Sequence, residues 1–155
     1  MSSLPSLLRP EPTPRYTKYF KYGTLILIVA LVLTLVFWLL FRFHSEESTA
    51  ATFMNDVIAG HYEKAYGMWS KTSTYQYKDF LQDWGPKGYY GPVRSFRIVA
   101  AHKLHGASGV IIVVDVSPFH PFPSEDDFEK ARETKEVRLW IQFSTHSISY
   151  APSFG

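Results

Sequence analysis

An uninterrupted apolar run is the strongest pattern in the chain. It extends from residue 23 to residue 41, has no charged side chain, and contains nothing more polar than Thr24 and Thr34. As a helix, about 19 residues make a rod of about 28 Å, which matches the hydrocarbon thickness of a bilayer. The pattern therefore predicts one transmembrane helix over residues 23–43, preceded by a proline-rich basic arm over residues 1–22.

Aromatic and basic side chains flank this run, as is typical of the two membrane–water boundaries. The predicted interfacial residues are Tyr16, Lys18, Tyr19, Lys21, Tyr22, Trp38 and Arg42. Four bases and one acid precede the run, and basic residues favour the cytoplasmic side. This predicts a single-pass signal anchor in the plasma (inner) membrane, with the N-terminus cytoplasmic and residues 44–155 outside, which in a bacterium is the periplasm. A cleaved signal peptide is the alternative, because residues 48–51 are small.

Beyond residue 44 the apolar positions first follow the period of helices. A first helix is predicted over residues 49–59, followed by two more with apolar faces at i, i+3, i+4 and i+7. These faces consist of Tyr62, Ala65, Tyr66 and Trp69, and then Tyr77, Phe80, Leu81 and Trp84. Ser73 and Gln76 have the spacing of a capping box before the third helix. We expect Tyr66, Trp69, Phe80 and Trp84 to be buried against a sheet.

From residue 88 onward the pattern is that of strands. Residues 95–101 alternate, with Phe96, Ile98 and Ala100 on one face, and residues 109–116 are β-branched and apolar like a central strand. Residues 137–143 alternate again, and Ile148 and Tyr150 either extend that strand or form a short fourth one. The order of three helices and then an antiparallel sheet predicts an α+β fold.

The charge balance differs between the two parts of the chain. Residues 1–44 carry a net charge of +4 and residues 45–155 a net charge of −2, which together give the total of +2. The basic arm therefore predicts contact with anionic lipid headgroups, whereas the mildly acidic remainder argues against nucleic-acid binding. The chain contains no cysteine, which excludes disulfides, thiolate catalysis and zinc–thiolate sites.

The segment FMNDVIAGHYEKAYGMW, residues 53–69, resembles the opening helix pair of the NTF2-like superfamily. Gly60, Tyr62, Ala65 and Tyr66 match that pattern, while His61 stands where an acidic residue is usual. The resemblance covers residues 49–150 and implies a cone of three helices packed on a bent antiparallel sheet. The plan of one N-terminal span and an outer NTF2-like domain is similar to that of VirB8-type components of secretion machines, which serve as assembly parts.

Enzymes of that superfamily line the cone with an Asp–His or Asp–Tyr pair, so Asp56 and Asp115 are the acid–base candidates that the resemblance implies. Both are interpreted as paired or solvated residues at a sheet rim or helix surface. His102 and His105 have an HxxH spacing, but residues three apart on a strand point to opposite faces, which favours a turn pair over a metal site. The pattern predicts no cofactor and no metal.

The acids at residues 125–127 allow either an ion site or a helix cap. Ser124 and Asp127 have capping-box spacing before a short helix that contains Phe128 and Ala131, so capping is favoured.

Two stiff loops combine prolines with aromatic residues: SPFHPFP at 117–123 and GPKGYYGP at 85–92. Their rings either pack back onto the domain or form a contact surface, since rigid aromatic anchors lose little entropy on binding. The predicted protein-interaction residues are Phe119, Phe122, Tyr89 and Tyr90. No nucleophile elbow, phosphate loop or dinucleotide fingerprint occurs.

The sequence thus favours a non-catalytic, membrane-anchored accessory or scaffold subunit that binds a larger membrane protein complex. A tethered domain that binds a small ligand or catalyses a reaction, and a transient assembly factor, remain the alternatives. An aromatic-filled cone would favour the scaffold, and an open cavity holding Asp56 or Asp115 would favour ligand chemistry.

Overall fold

The computed structural model describes residues 16–72 and 74–152, and the chain divides between Arg42 and Phe43 into two units. The first unit contains helix α1, Tyr16–Phe41. The second contains α2 His44–Ile58, α3 Tyr62–Met68, α4 Tyr77–Trp84, β1 Ser95–His102, β2 Gly109–Ser117, α5 Phe128–Ala131, β3 Lys135–Gln142 and β4 Ile148–Tyr150. Residues 16–22 of the predicted arm over residues 1–22 are helical and belong to α1, whereas residues 1–15 and the capping role of Ser73 lie outside the described residues.

Helix α1 has apolar side chains on every side. Leu, Ile and Val side chains between residues 25 and 40 are about half or more exposed. The two polar groups are satisfied internally: the Thr24 hydroxyl donates to the Phe20 carbonyl at 2.9 Å, and the Thr34 hydroxyl to the Ala30 carbonyl at 2.8 Å. By length and composition, the described chain has one helix that could cross a membrane, near the N-terminus, with a mean hydropathy of 3.0 over its most apolar 18 residues.

The second unit is α+β, as the sequence predicts. Its four strands form one antiparallel sheet in the order β1-β2-β3-β4, with β2 in the interior as expected. Val110, Ile112, Val114 and Val116 of β2 point to the face that carries the helices and are buried. Residues Ile148–Tyr150 form a separate fourth strand, which resolves the alternative that the sequence left open.

Aromatic rings fill the space between helices and sheet. Phe53 of α2 lies at the centre, with ring centroids 5.6 Å from Trp69, 6.1 Å from Phe80 and 5.1 Å from Trp84. Trp69, Phe80 and Trp84 are buried and Tyr66 is half-buried, so the expected apolar faces are confirmed. Edge-to-face geometry contributes beyond area burial, and this cluster is the centre of the core.

A β-bulge corrects the predicted face of β1. Ile98 pairs with Val114 and Ala100 with Val113, so Val99 is an extra residue in the ladder. The bulge reverses the alternation, and Phe96, Ile98 and Ala101 contact the core instead of Phe96, Ile98 and Ala100. Strict alternation predicts the wrong third residue because one extra residue moves every later side chain to the opposite face.

Two helix boundaries also differ from the prediction. Helix α2 begins at His44 rather than Thr49, because Glu46 continues the buried line of Ala50 and Phe53 and two acids suit a first helical turn. Helix α3 ends before Trp69, whose backbone is extended and forms a parallel bridge with Ile148 at the edge of the sheet.

Gln76 and Asp127 belong to the predicted capping boxes, but each stands at the N-cap position rather than at the third helical residue. Helix α4 is capped from Gln76, whose backbone N–H donates to Asp79 Oδ2 at 2.8 Å. Helix α5 has Asp127, not Ser124, at its N-cap, and Asp127 Oδ1 accepts from the Lys130 backbone N–H at 3.3 Å. Hydrogen bonds from Lys130 hold the pKa of Asp127 below its ordinary value. The acidic segment is therefore used for capping, as the sequence favours.

Candidate protein-interaction surface

The two proline-aromatic loops lie at the same end of the sheet. Loop 85–94 leads into β1, loop 117–127 leaves β2, and Ser95 is paired with Ser117 in the ladder. The start of β3 joins them, because Lys135 is paired with Val116. We call residues 85–94 and 117–135 the distal surface. Register alone brings together segments that are about 30 residues apart in the chain.

Loop 117–127 is held in place by its own polar groups. The Ser95 hydroxyl donates to the Phe119 carbonyl at 2.6 Å, and the Phe119 N–H donates to the buried Ser117 hydroxyl at 3.2 Å. Phe119 and Phe122 are each half-buried and lie outside the hydrophobic core cluster of the described domain. Their rings are therefore fixed on the surface rather than packed into the core.

A cationic side chain lies over each of three aromatic rings of the distal surface, those of Phe119, Phe122 and Tyr89. The Arg97 guanidinium is 4.9 Å from the Phe122 ring centroid, and Lys130 Nζ is 5.9 Å from that of Phe119. Similarly, Lys135 Nζ is 4.5 Å from the centroid of Tyr89 and also donates to the Tyr89 carbonyl. These contacts restrict the rings before any partner binds, which lowers the entropy lost on binding.

Tyr89 and Tyr90 have different environments although the sequence groups them. Tyr89 is 65% exposed. Tyr90 is half-buried and stacks on Trp84 with a centroid distance of 4.7 Å, and burial, followed by the neighbouring Tyr89, raises its pKa. Tyr90 thus anchors the loop to the core, and Tyr89 is presented to solvent.

Phe128 is an additional member that the sequence reasoning did not assign to this surface. It is 74% exposed and lies in the short helix α5. A helix of only four residues has no second turn to fix which side faces the core. Phe128 and the loop rings lie in segments at the same end of the sheet, and exposed aromatic side chains are typical of a binding site.

Asp115 lies outside the layer between helices and sheet. Val114 and Val116 point to the core, so Asp115 projects from the opposite face. Its Oδ2 is 3.4 Å from Arg97 Nη2 on the neighbouring strand. This cross-strand ion pair agrees with the interpretation of Asp115 as a paired residue at a sheet face.

Asp56 is more deeply buried than a helix-surface position would be. It is 6% exposed, and its Oδ1 accepts from Lys64 Nζ at 2.9 Å with His61 Nδ1 at 3.7 Å. Among the described residues, Oδ2 has no hydrogen-bond partner. The residue is paired as expected, but it links α2 to α3 from inside the helical layer rather than at a surface.

A carboxylate–phenol cluster was not foreseen from the sequence. Asp83 Oδ2 accepts from the Tyr75 hydroxyl and from the Tyr150 hydroxyl, both at 2.7 Å. Burial and the hydrogen bond to Asp83 raise the pKa of both phenols well above the ordinary value for tyrosine. Both protons go to one carboxylate, so the arrangement joins α4 to β4 structurally. Separations of 8 and 67 residues in sequence leave no motif that could have revealed it.

The histidine pair of the β1–β2 turn is exposed. His102 ends β1, and His105 lies in the turn before Gly106, whose φ of +71° closes the hairpin. Among the described residues, no group of three or more His, Cys, Asp or Glu side chains has a metal-binding arrangement.

The membrane-interface residues lie near the two ends of α1. Tyr19 and Tyr22 are 77% and 64% exposed near its start, where Lys21 also lies. Near the other end Trp38 is 59% exposed, and the Arg42 guanidinium is 5.8 Å from its ring centroid. The side chains of Tyr16 and Lys18 lie outside the described residues.

No family model matches this sequence, and comparisons with curated proteins and with solved structures likewise give no match.

Proposed function

We propose that this protein is a non-catalytic, membrane-anchored accessory subunit that binds and stabilises a larger membrane protein complex through its distal surface. The observation that carries the proposal is the set of aromatic side chains on the distal surface: Tyr89 and Phe128 are exposed, and Phe119 and Phe122 are half-buried outside the core. Aromatic side chains are enriched at protein interfaces, and a few such anchors carry most of the binding energy.

The anchor in this proposal is α1, whose large apolar surface has to be removed from water. Lipid achieves this, since hydrocarbon contact removes the exposed Leu, Ile and Val side chains from water. The chain is oriented with its basic arm in the cytoplasm and residues 44–155 in the periplasm. An uncleaved anchor is supported by Ala50, which is fully buried within α2, because cleavage at residues 50–51 would cut a core helix.

The fold of the domain, in this proposal, is NTF2-like. Helices packed on one face of an antiparallel sheet support it, together with the segment at residues 53–69 that resembles the superfamily. The space that would be a ligand cone is filled by Phe53, Trp69, Phe80 and Trp84, and Asp115 is on the opposite face of the sheet. This arrangement favours a scaffold over ligand binding or catalysis.

The test is the double substitution Phe119→Ser and Phe122→Ser in the full chain. We expect at least a fivefold loss of the membrane protein partner recovered by purification in mild detergent, with an unchanged circular dichroism spectrum and thermal midpoint. The matched control is Val99→Ser, which removes an exposed apolar side chain from β1, away from both loops. It should leave recovery unchanged.

Two results would contradict the proposal. If the double variant unfolds, the loop belongs to the packing of the domain. If it is folded and recovers the partner fully, the interface is elsewhere, and turnover that is lost on Asp115→Asn would favour the enzymatic alternative.

A further inference from the structure

The two edges of the sheet differ in what lies beside them. The edge at β4 is covered by the chain itself, since Trp69 forms a parallel bridge with Ile148 and the Ser70 N–H donates to the Ile148 carbonyl at 2.6 Å. At the other edge, β1 is paired only with β2, and no other strand of the described chain lies beside it. An edge strand of this kind presents main-chain N–H and C=O groups that can pair with an added strand.

The segment that contains β1 is basic throughout. Residues 84–114 hold no aspartate or glutamate and four exposed basic side chains, which give a charge of +4 with neutral histidines: Lys87, Arg94, Arg97 and Lys103. The remainder of residues 45–155 carries −6, because the whole range carries −2. The excess of positive charge in the domain therefore lies on the segment that forms the open edge of the sheet.

Two of these bases bracket β1 without a counter-charge. Arg97, within the strand, is paired with Asp115 at 3.4 Å. Arg94 precedes the strand and Lys103 follows it, and neither forms an ion pair with a described residue. Lys103 Nζ is 4.9 Å from the centroid of the Phe143 ring, a contact that leaves its charge uncompensated. Both ends of the edge strand are thus suited to bind carboxylates.

The sheet face opposite to the helices has a groove of about 320 Å³ beside this edge. It is lined by apolar side chains of β1 and β2 and by three polar ones, which are Val99, Ala100, Ile111, Val113, His102, Glu136 and Arg138. Glu136 and Arg138 are paired with each other at 2.8 Å, so they add no net charge. Since alternate side chains of a strand point to the same face, every second residue of an added strand would lie on the side of this groove.

The edge is built against indiscriminate pairing. The bulge at Val99 divides it into two short regular stretches, residues 95–98 and 100–102, and bulges limit the pairing of one edge with another. Pairing with a second copy of β1 would also bring two positively charged segments together, which is unfavourable. Charge complementarity instead favours a strand that carries acidic side chains.

We propose that the open edge of β1 binds an extended acidic segment of another protein as a fifth strand of the sheet. Main-chain hydrogen bonds to β1 supply the contact, and the groove accommodates alternate apolar side chains. Arg94 and Lys103 select carboxylates near the two ends of the added strand. The edge meets the distal surface at Arg94, but its binding of a strand does not depend on the proposed function, because both the edge and its charges belong to the domain alone.

The experiment offers two peptide pools to the full chain in mild detergent. Peptides of about nine residues match the length of β1. In the first pool, two acidic residues at each end flank a centre of randomised β-branched and polar residues, and the second pool has lysine in place of the acids. Retention of each pool on the immobilised protein is compared by mass spectrometry.

We expect about tenfold higher retention of the acidic pool. Arg94→Glu with Lys103→Glu should remove this preference. The matched control, Lys71→Glu with Lys78→Glu, changes the net charge equally at exposed positions before and within α4 and should keep most of it. Circular dichroism verifies that both variants are folded.

Strand addition is distinguished from simple charge attraction by N-methylation. Methyl groups on two successive central residues of the best-retained acidic peptide block main-chain hydrogen bonds on both of its sides. We expect about tenfold weaker binding of the methylated peptide. The unmethylated peptide should slow amide hydrogen exchange in residues 95–102 and leave β4 unchanged.

Equal retention of the two pools would overturn the selection of acidic segments, whether both are retained or neither. Binding that survives N-methylation, or unchanged exchange in residues 95–102, would overturn the addition of a strand. None of these measurements involves the membrane complex, so their outcome is separate from the recovery of a partner that tests the proposed function.

Discussion

The Tyr150 hydroxyl in β4 donates a hydrogen bond to Asp83 Oδ2 in α4, with an O···O distance of 2.7 Å. The same carboxylate oxygen accepts from Tyr75 in the loop before α4. One carboxylate thus holds three parts of the domain: the helix, the loop and the edge strand. The ring of Tyr150 also lies edge-on to Trp69 at 4.9 Å, so the polar cluster borders the aromatic core.

Tyr150→Phe should lower the free energy of unfolding by about 1–3 kcal/mol, because a hydrogen bond to a charged acceptor is lost while the ring stays in place. Urea unfolding followed by tryptophan fluorescence measures this. Tyr89→Phe is the control, since Tyr89 is 65% exposed and its hydroxyl can bond to water in the folded and the unfolded chain alike. An unchanged midpoint for Tyr150→Phe would mean that solvent replaces the bond fully.

The same cluster predicts alkaline sensitivity. Burial, together with the bond to Asp83, raises the pKa of Tyr150 and of Tyr75 in the folded state. Above the ordinary tyrosine value of about 10, the unfolded chain loses phenol protons that the folded chain retains, so stability falls as pH rises. Urea midpoints between about pH 9 and pH 11 should decline, and Tyr75→Phe with Tyr150→Phe should decline less steeply. Equal slopes would contradict the assignment.

Trp69→Ala should cost about 3–5 kcal/mol, because a large buried ring is removed from the centre of the aromatic cluster. Trp69 is 4% exposed and contacts rings on three other elements. Chemical denaturation of the full chain in detergent measures the cost. Tyr89→Ala, which truncates an exposed ring, should change stability by less than about 0.5 kcal/mol. Comparable losses of stability for the two variants would show that the Trp69 ring does not contribute to the core as its burial indicates.

Local periodicity predicted the elements of this fold well. The run at residues 23–41 lies within α1, and Phe80 and Trp84 are buried at the spacing that the sequence shows. These features depend on side chains within one or two turns of each other, or on alternate positions of a single strand, and so they can be read from neighbouring residues.

The sequence did not predict the features set by pairing between distant segments. The bulge at Val99 depends on the partner strand, and the end of α3 at Trp69 depends on its bridge to Ile148. Of the interaction residues, Tyr89 and Tyr90 were adjacent in sequence, and only the stacking of Tyr90 on Trp84 separates their roles.

The topology of the chain gives the last prediction. The basic arm should be cytoplasmic and the domain outside, because four bases and one acid precede the apolar run and basic residues are retained on the cytoplasmic side. In cells with a permeabilised outer membrane, a membrane-impermeant maleimide should label Glu125→Cys and not Ser3→Cys, and both should be labelled after lysis. The absence of native cysteine makes each signal specific to its site. Labelling of Ser3→Cys alone would reverse the orientation and place the aromatic distal surface in the cytoplasm, where its partner would then have to be sought. Release of a labelled fragment beginning near Ala51 would show instead that the anchor is a cleaved signal.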